Sequence, residues 1–257
     1  MGIFDLFRKK QQAQIAEPPQ VKQPYLGDLE KTQLIFELIR LPREQRDEQW
    51  QQSFLQNIIQ ASFRCGEPQM INGPDGFPYF QLLMPRPNES FQCYVIERMK
   101  DDFLLENGYG VVINPDAGQP DWVLSYGDIL NLHLNGSFYT TGPTLFSTAK
   151  EDETILKDER ALVGQPSELI LPAMTRAILR EFLISNGIKS PKVLLMSRSS
   201  VNTNEQFQDL VFNITPADFE SEEVFRSVMQ HMGWFLPRHY SYVGLSENGF
   251  DDGFMPL

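Results

Sequence analysis

The sequence predicts an α+β protein made of two similar α-β-β-α-β units, each a small mixed or antiparallel sheet packed by helices. Three observations support this fold class. The chain has 257 residues, which is long for one domain and sufficient for two domains of about 100 residues each. Segments with helical apolar spacing alternate with short runs of β-favouring residues. The order of these segments in the first half recurs in the second half.

The first unit begins with two predicted helices. Apolar residues at helical spacing mark Leu29–Leu41, and Pro42 stops this helix. A second apolar stripe runs from Glu44 to Cys65, before Gly66. Cys65 is therefore expected at a helix end, as a buried thiol rather than a nucleophile.

A hairpin is predicted next. Gln69–Ile71 and Phe77–Met84 favour β structure, and the residues between them, Asn72–Gly76, are of the types that hairpin turns require. We therefore expect two adjacent antiparallel strands.

The segment that follows permits two interpretations. A cap at Asn88 or Ser90 favours a helix that ends at Glu106, whereas Phe91–Ile96 taken alone favours a strand. We prefer the helix. The unit then closes with a strand, a short strand and a short helix, predicted at Gly110–Asn114, Trp122–Leu124 and Tyr126–Leu134.

The second unit repeats the order helix, strand, strand, helix, strand. Its elements are predicted at Pro172–Ser185, Lys192–Met196, Phe207–Thr215, Glu220–Met232 and Phe235–Leu245. The shared order favours an internal duplication. The predicted organisation is a flexible tether at 1–27, a first domain at 28–135, a connection at 136–165, a second domain at 166–247 and an acidic-aromatic tail at 248–257.

Charge and composition narrow the classes of function. The net charge is −12, and an acidic chain repels phosphate backbones, so nucleic-acid binding is not expected. The acidity either suits a basic partner protein or serves solubility alone. No apolar stretch is long enough to span a bilayer. Two cysteines supply neither a disulfide framework nor a zinc site, so a cytoplasmic protein is expected. Residues 1–10 form either an apolar turn that touches a membrane surface or a partner, or a frayed terminus.

No catalytic, cofactor or metal site is predicted. The three histidines, His133, His231 and His239, lie outside any catalytic motif, and the glycine motifs that bind phosphate are absent. His231 and His239 flank one segment, but without a nearby carboxylate or cysteine pair they make a poor metal site. We therefore expect a protein without enzymatic activity.

The best candidate for a recognition surface is the aromatic segment that ends the second unit. Trp, Tyr and Arg are the residues that dominate protein interfaces, and the candidate partner-binding residues are Trp234, Arg238, His239, Tyr240 and Tyr242. The alternative is that alternate members of this segment pack the last strand into the core. The tail at 248–257 suits docking on a partner or disorder. Each sheet face that helices leave open needs cover from the other unit or a second copy, so self-association is a further expectation.

Three short segments carry a family resemblance: Pro78–Phe80, Gly110–Pro115 and Val163–Pro166. Over residues 30 to 245 the chain resembles the bacterial enhanced-serine-sensitivity (SseB-like) proteins. The resemblance implies a two-part, acidic, non-enzymatic protein, and it supplies no catalytic motif and no defined molecular role. The function expected for the chain is a non-enzymatic bacterial protein-interaction or regulatory role that stays otherwise undefined. Two alternatives from other classes stay open: a secretion-chaperone-like or immunity-type protein that binds an effector, and an enzyme with an unrecognised site that uses His231 and His239.

Overall fold

The computed structural model describes residues 26–115, 118–146, 160–199, 206–248 and 253–257. The chain divides into two compact units, Met1–Phe138 (unit 1) and Tyr139–Leu257 (unit 2). Each unit contains a mixed sheet and helices, which confirms the predicted α+β class. The predictions for residues 1–25 lie outside the described residues. In the part of the chain that is described, no helix combines the length and apolar character that crossing a bilayer requires.

Unit 1 opens with helices α1 (Leu29–Ile39) and α2 (Glu48–Ile58). Both begin at an aspartate whose carboxylate accepts hydrogen bonds from backbone N–H groups of the first turn. Asp28 accepts from the amides of Glu30 and Lys31 at 2.9 and 3.1 Å, and Asp47 accepts from the Trp50 amide at 2.9 Å. These caps set the first residue of each helix.

A four-stranded sheet follows, with strands β1 (Arg64–Asn72), β2 (Pro78–Leu83), β3 (Gly110–Ile113) and β4 (Trp122–Leu124). β1 pairs antiparallel with β2, β2 parallel with β3, and β3 antiparallel with β4. Between β2 and β3 runs helix α3, whose α-helical ends, Ile96–Met99 and Leu105–Asn107, enclose a π-helical stretch, Lys100–Leu104. The last helix is α4 (Tyr126–Asn135), which begins with a capping box formed by Ser125 and Asp128.

Aromatic side chains join the helices of unit 1 to one face of this sheet. The rings of Trp50 and Phe54 on α2 stack at 4.7 Å and lie 6.0 and 5.8 Å from Trp122 on β4. Phe103 on α3 lies 5.2 Å from Phe80 on β2. All residues of β2 and β3 are buried, so these two strands form the centre of unit 1.

Two predictions for unit 1 are wrong. The second helix does not extend to Cys65, which lies half-buried in β1, because the Phe63 backbone leaves the helical path to pair with Tyr94 through hydrogen bonds of 2.9 and 2.8 Å. The helix expected from residue 88 or 90 begins only at Ile96. Phe91–Ile96 is not a strand either, since Tyr94 alone makes an isolated bridge.

In the described part of unit 2, five strands form one sheet: β5 (Arg160–Gly164), β6 (Lys192–Ser199), β7 (Gln206–Phe212), β8 (Tyr242–Gly244) and β9 (Met255–Pro256). The order is β5-β6-β7-β8, and β9 pairs with the start of β6. β7 and β8 are parallel, and the other pairs are antiparallel. Its helices are α5 (Ala173–Ser185) and α6 (Glu222–Met232).

The two units share an order of pairing. In each, a helix precedes an antiparallel hairpin, and a second helix leads to a strand parallel to the second hairpin strand: β1, β2 and β3 in unit 1 and β6, β7 and β8 in unit 2. This agrees with the predicted element order. A duplication of the sequence itself stays a prediction.

Unit 2 departs from the sequence analysis at three places. Arg160–Gly164, within the predicted connection, forms β5. The expected final strand Phe235–Leu245 is wrong in extent, because only Tyr242–Gly244 pairs with β7. In the tail, β9 pairs with β6, and the Phe254 side chain packs in an apolar cluster with Leu194, Met196 and Val211. Residues 249–252 of the tail lie outside the described residues.

Candidate functional site

The segment between α6 and β8 forms a folded loop. It starts with turns at Gly233–Phe235, where the ring of Trp234 lies 5.0 Å from Phe235 in an edge-on arrangement. Phe235 is buried and lies 5.0 Å from Phe182 on α5. Trp234 is half-buried, and because it packs against the buried Phe235, it supports the start of the loop.

Arg238 is the exposed member of the predicted set. Its Cζ atom lies 4.2 Å above the centre of the Tyr139 ring, and its Nη2 donates a 3.2 Å hydrogen bond to the Tyr139 hydroxyl. A guanidinium over an aromatic face is attracted by the electron-rich ring. The two contacts together restrict the guanidinium to one orientation at the surface.

Tyr240 lies beneath this surface. Its ring stacks on Phe146 with centroids 4.0 Å apart, and its hydroxyl donates a 2.8 Å hydrogen bond to the Ile170 carbonyl. Burial raises the pKa of Tyr240 to about 12. Phe146 is in turn held by a parallel bridge to Gln208 on β7. The Tyr240 hydroxyl therefore stays protonated near neutral pH, and the stacking and the hydrogen bond hold its ring in place.

His239 packs edge-on against the same two rings. Its centroid lies 4.8 Å from Tyr240 and 5.8 Å from Phe146. The side chain is half-buried, and this desolvation lowers the pKa of His239. The neutral imidazole is therefore the favoured form near neutral pH.

Tyr242 points into unit 2 rather than towards this surface. Its hydroxyl donates a 3.0 Å hydrogen bond to the Met229 carbonyl of α6. Burial raises the pKa of Tyr242, and a hydrogen bond from the Gly233 backbone opposes that shift. The residue joins β8 to α6.

The structure thus brings together three of the five predicted residues, Arg238, His239 and Tyr240, with two that the sequence analysis did not select, Tyr139 and Phe146. We call these five residues the aromatic–arginine cluster. Leu145, adjacent to Phe146, has 52% of its surface exposed and adds an apolar neighbour. The sequence signal for the missed pair is weak: two aromatic residues inside a stretch of low periodicity.

The other histidines have separate contacts. His133 Nδ1 lies 2.8 Å from an Asp101 carboxylate oxygen at the surface of unit 1, and His231 Nδ1 lies 3.4 Å from the Ser227 hydroxyl one helical turn away on α6. Within the described ranges, no group of three or more His, Cys, Asp or Glu side chains is placed to hold a metal ion.

Comparison with known proteins gives no assignment. No family model matches the chain, and neither a curated protein nor a solved structure matches it significantly.

Proposed function

We propose that this protein is a non-enzymatic protein-interaction or regulatory protein that binds a partner polypeptide through the aromatic–arginine cluster of unit 2. The observation that carries the proposal is the exposed Arg238 guanidinium held over Tyr139 beside the ordered rings of His239 and Tyr240. Arg and aromatic residues supply most of the binding energy in protein interfaces. Membership of the SseB-like family and a cytoplasmic location belong to the same proposal.

The cluster suits a partner segment that offers oxygen atoms beside an apolar side chain. The guanidinium of Arg238 donates in its own plane to carbonyl or carboxylate oxygens, while the exposed Leu145 and the half-buried rings of Tyr139 and His239 offer apolar surface. Because Tyr139 already restricts Arg238, less side-chain entropy is lost on binding.

The net charge of −12 acts at longer range than these contacts. It favours partners with an overall positive charge by speeding their approach, and salt screens it beyond about 8 Å at physiological ionic strength. The expected partner is therefore basic overall, with the contacting segment itself rich in apolar residues and oxygen acceptors.

Quantitative pull-down from native lysate tests this function. Wild type, Arg238→Ala and Tyr139→Leu serve as baits, and the matched control is Arg226→Ala, which removes an arginine with 75% side-chain exposure from an ion pair with Glu222 on α6. We expect one specific partner to be retained by wild type and the control and lost by the two cluster variants.

The captured partner is then purified and its affinity measured by calorimetry. A loss of about 2 kcal/mol for Arg238→Ala corresponds to roughly a thirtyfold higher dissociation constant. Equal affinities of wild type and Arg238→Ala, with both proteins folded by circular dichroism, contradict the site. Substrate turnover by the purified chain, preserved in the cluster variants, contradicts the non-enzymatic assignment.

A further inference from the structure

Strand β5 is an exposed edge of the unit 2 sheet. It pairs with β6 on one side, and among the described residues no strand pairs with its other side. Residues 161–165 are all exposed, and Leu162 and Val163 have 76% and 42% of their surface exposed. A leucine this exposed on a strand edge is unusual because apolar surface and unpaired backbone groups together attract another strand.

The features that usually protect a strand edge are missing from the centre of β5. Natural edge strands carry charged side chains, prolines or bulges that prevent further pairing. The three central residues, Ala161, Leu162 and Val163, are small or apolar, and the register with β6 is continuous from Arg160 to Gly164. The edge is therefore ready for strand addition.

The sequence of β5 is complementary to itself. In an antiparallel pair centred on Leu162, this residue lies opposite Leu162 of the second copy, and Ala161 lies opposite Val163 of the second copy. Arg160, the one charged position of the strand, then lies opposite Gly164 of the second copy, so that no like charges face each other. Any shift of register separates the two leucines and loses this match.

We propose that two copies of this chain associate through antiparallel pairing of their β5 strands about a twofold axis at Leu162. The pairing joins the two unit 2 sheets into one continuous sheet and covers the most exposed strand leucines. A twofold interface of this kind uses the same patch on both copies and closes on itself. The inference does not rest on the proposed partner, because no residue of the aromatic–arginine cluster belongs to β5.

Net charge gives the association a characteristic response to salt. Each copy carries −12, so the two copies repel each other at long range, and added salt screens this repulsion. Apolar and backbone contacts are little affected by screening. The dissociation constant of the dimer should therefore fall as salt rises, whereas an interface held by ion pairs would weaken.

Sedimentation velocity of the full chain over a range of concentrations and salt measures this association. We expect wild type to dimerise and Leu162→Lys to have a dissociation constant at least about tenfold higher, because it places like charges directly opposite each other. Leu169→Lys is the matched control, since Leu169 is 82% exposed but lies outside the strands, and it should dimerise like wild type. A monomeric wild type at every concentration, or equal association of wild type and Leu162→Lys, overturns the proposal.

A disulfide cross-linking test determines the register of the strand pairing without adding a charge to the interface. In a background with Cys65 and Cys93 replaced by serine, Leu162→Cys should form a disulfide-linked dimer under mild oxidation, because directly opposite residues have Cβ atoms about 5 Å apart. Leu169→Cys should stay monomeric. Equal cross-linking of the two variants overturns the twofold pairing, even if the chain associates in another way.

Discussion

The C-terminal residues of unit 2 offer a direct test of how the sheet is covered. Phe254 is 9% exposed and packs with Leu194 and Met196 of β6 and Val211 of β7. The residues after it are held by the pairing of β9 with β6 and by a 3.1 Å hydrogen bond from the Leu257 amide to the Pro191 carbonyl. Replacing Phe254 by Ala should release this end of the chain from the sheet.

The loss of unfolding free energy expected for Phe254→Ala follows from the burial of one aromatic side chain. Burying a phenylalanine contributes about 2–3 kcal/mol, and Phe→Ala in a closed core costs about 3–5 kcal/mol because a cavity is left behind. Here the short end segment can detach and leave no cavity, so we expect the lower value, about 2–3 kcal/mol of unfolding free energy. For a domain of this size, that loss lowers the melting temperature by about 10 °C.

Urea unfolding and hydrogen exchange of the full chain measure the two consequences. Phe254→Ala should lower the urea midpoint of unit 2 and speed exchange of the Leu257 amide. Met255→Ala is the matched control, since Met255, the next residue along the chain, is 40% exposed on β9, and it should cost under about 1 kcal/mol. An unchanged midpoint together with unchanged protection of Leu257 would refute the assigned role of Phe254.

Three further predictions concern unit 2 and the centre of unit 1. Burial lowers the pKa of His239, so as pH falls below about 6.5 the unfolded chain takes up the proton first and the stability of the folded state decreases. In urea titrations, His239→Gln should therefore lose less stability than wild type between neutral and mildly acidic pH, and equal losses would contradict this. Tyr240→Phe removes a hydroxyl that donates to a backbone carbonyl and should cost about 1–2 kcal/mol in chemical unfolding, whereas a midpoint equal to wild type would count against that bond. At Gly110 an added Cβ lies 2.6 Å from the Leu124 carbonyl oxygen, so in thermal unfolding Gly110→Ala should cost about 1–3 kcal/mol by overpacking. An added Cβ at Gly142 meets open space, so Gly142→Ala should leave the melting temperature unchanged, and equal melting temperatures of the two variants would contradict the steric argument.

The β1–β2 hairpin is predictable from sequence because its turn is local. The Asp75 side chain accepts a 3.1 Å hydrogen bond from the Phe77 amide, and Gly76 has a φ of +83°, a conformation that glycine adopts without strain. Turn residues of these types at this spacing determine the connection within a few residues. The same reasoning predicts the element order from α5 to β8 in unit 2, because these helices and strands are also marked by local periodicity, but it misses β5 and β9.

The errors arise where distant pairing overrides a local pattern. The apolar stripe of α2 continues beyond Ile58 in the sequence, but Phe63 pairs with Tyr94, and that pairing starts β1 instead of another helical turn. Phe235, whose type favours strands, and the apolar Leu236 are both 1% exposed, yet they lie in a turn and a bend. Their preference is for burial as much as for an extended backbone, and the loop satisfies it.

Only one of the two chain segments that form the candidate site is predictable from the sequence. Arg238, His239 and Tyr240 lie close together in sequence, and their residue types indicate a recognition surface. Their neighbours Tyr139 and Phe146 lie almost 100 positions away, as the separation of 99 between Arg238 and Tyr139 illustrates. No local signal connects the two segments, because the bridge from Phe146 to Gln208 depends on the completed sheet.

The sheet of unit 2 also implies an order of assembly. β6 and β7 are close in sequence and pair along most of their length, whereas their outer sides are completed by distant segments: β5 and β9 beside β6, Phe146 and β8 beside β7. Closing each of these long loops costs chain entropy before any contact is gained. We therefore expect the hairpin to form early in folding and its flanks to join late, so that a nascent chain lacks the aromatic–arginine cluster until synthesis of unit 2 is nearly complete.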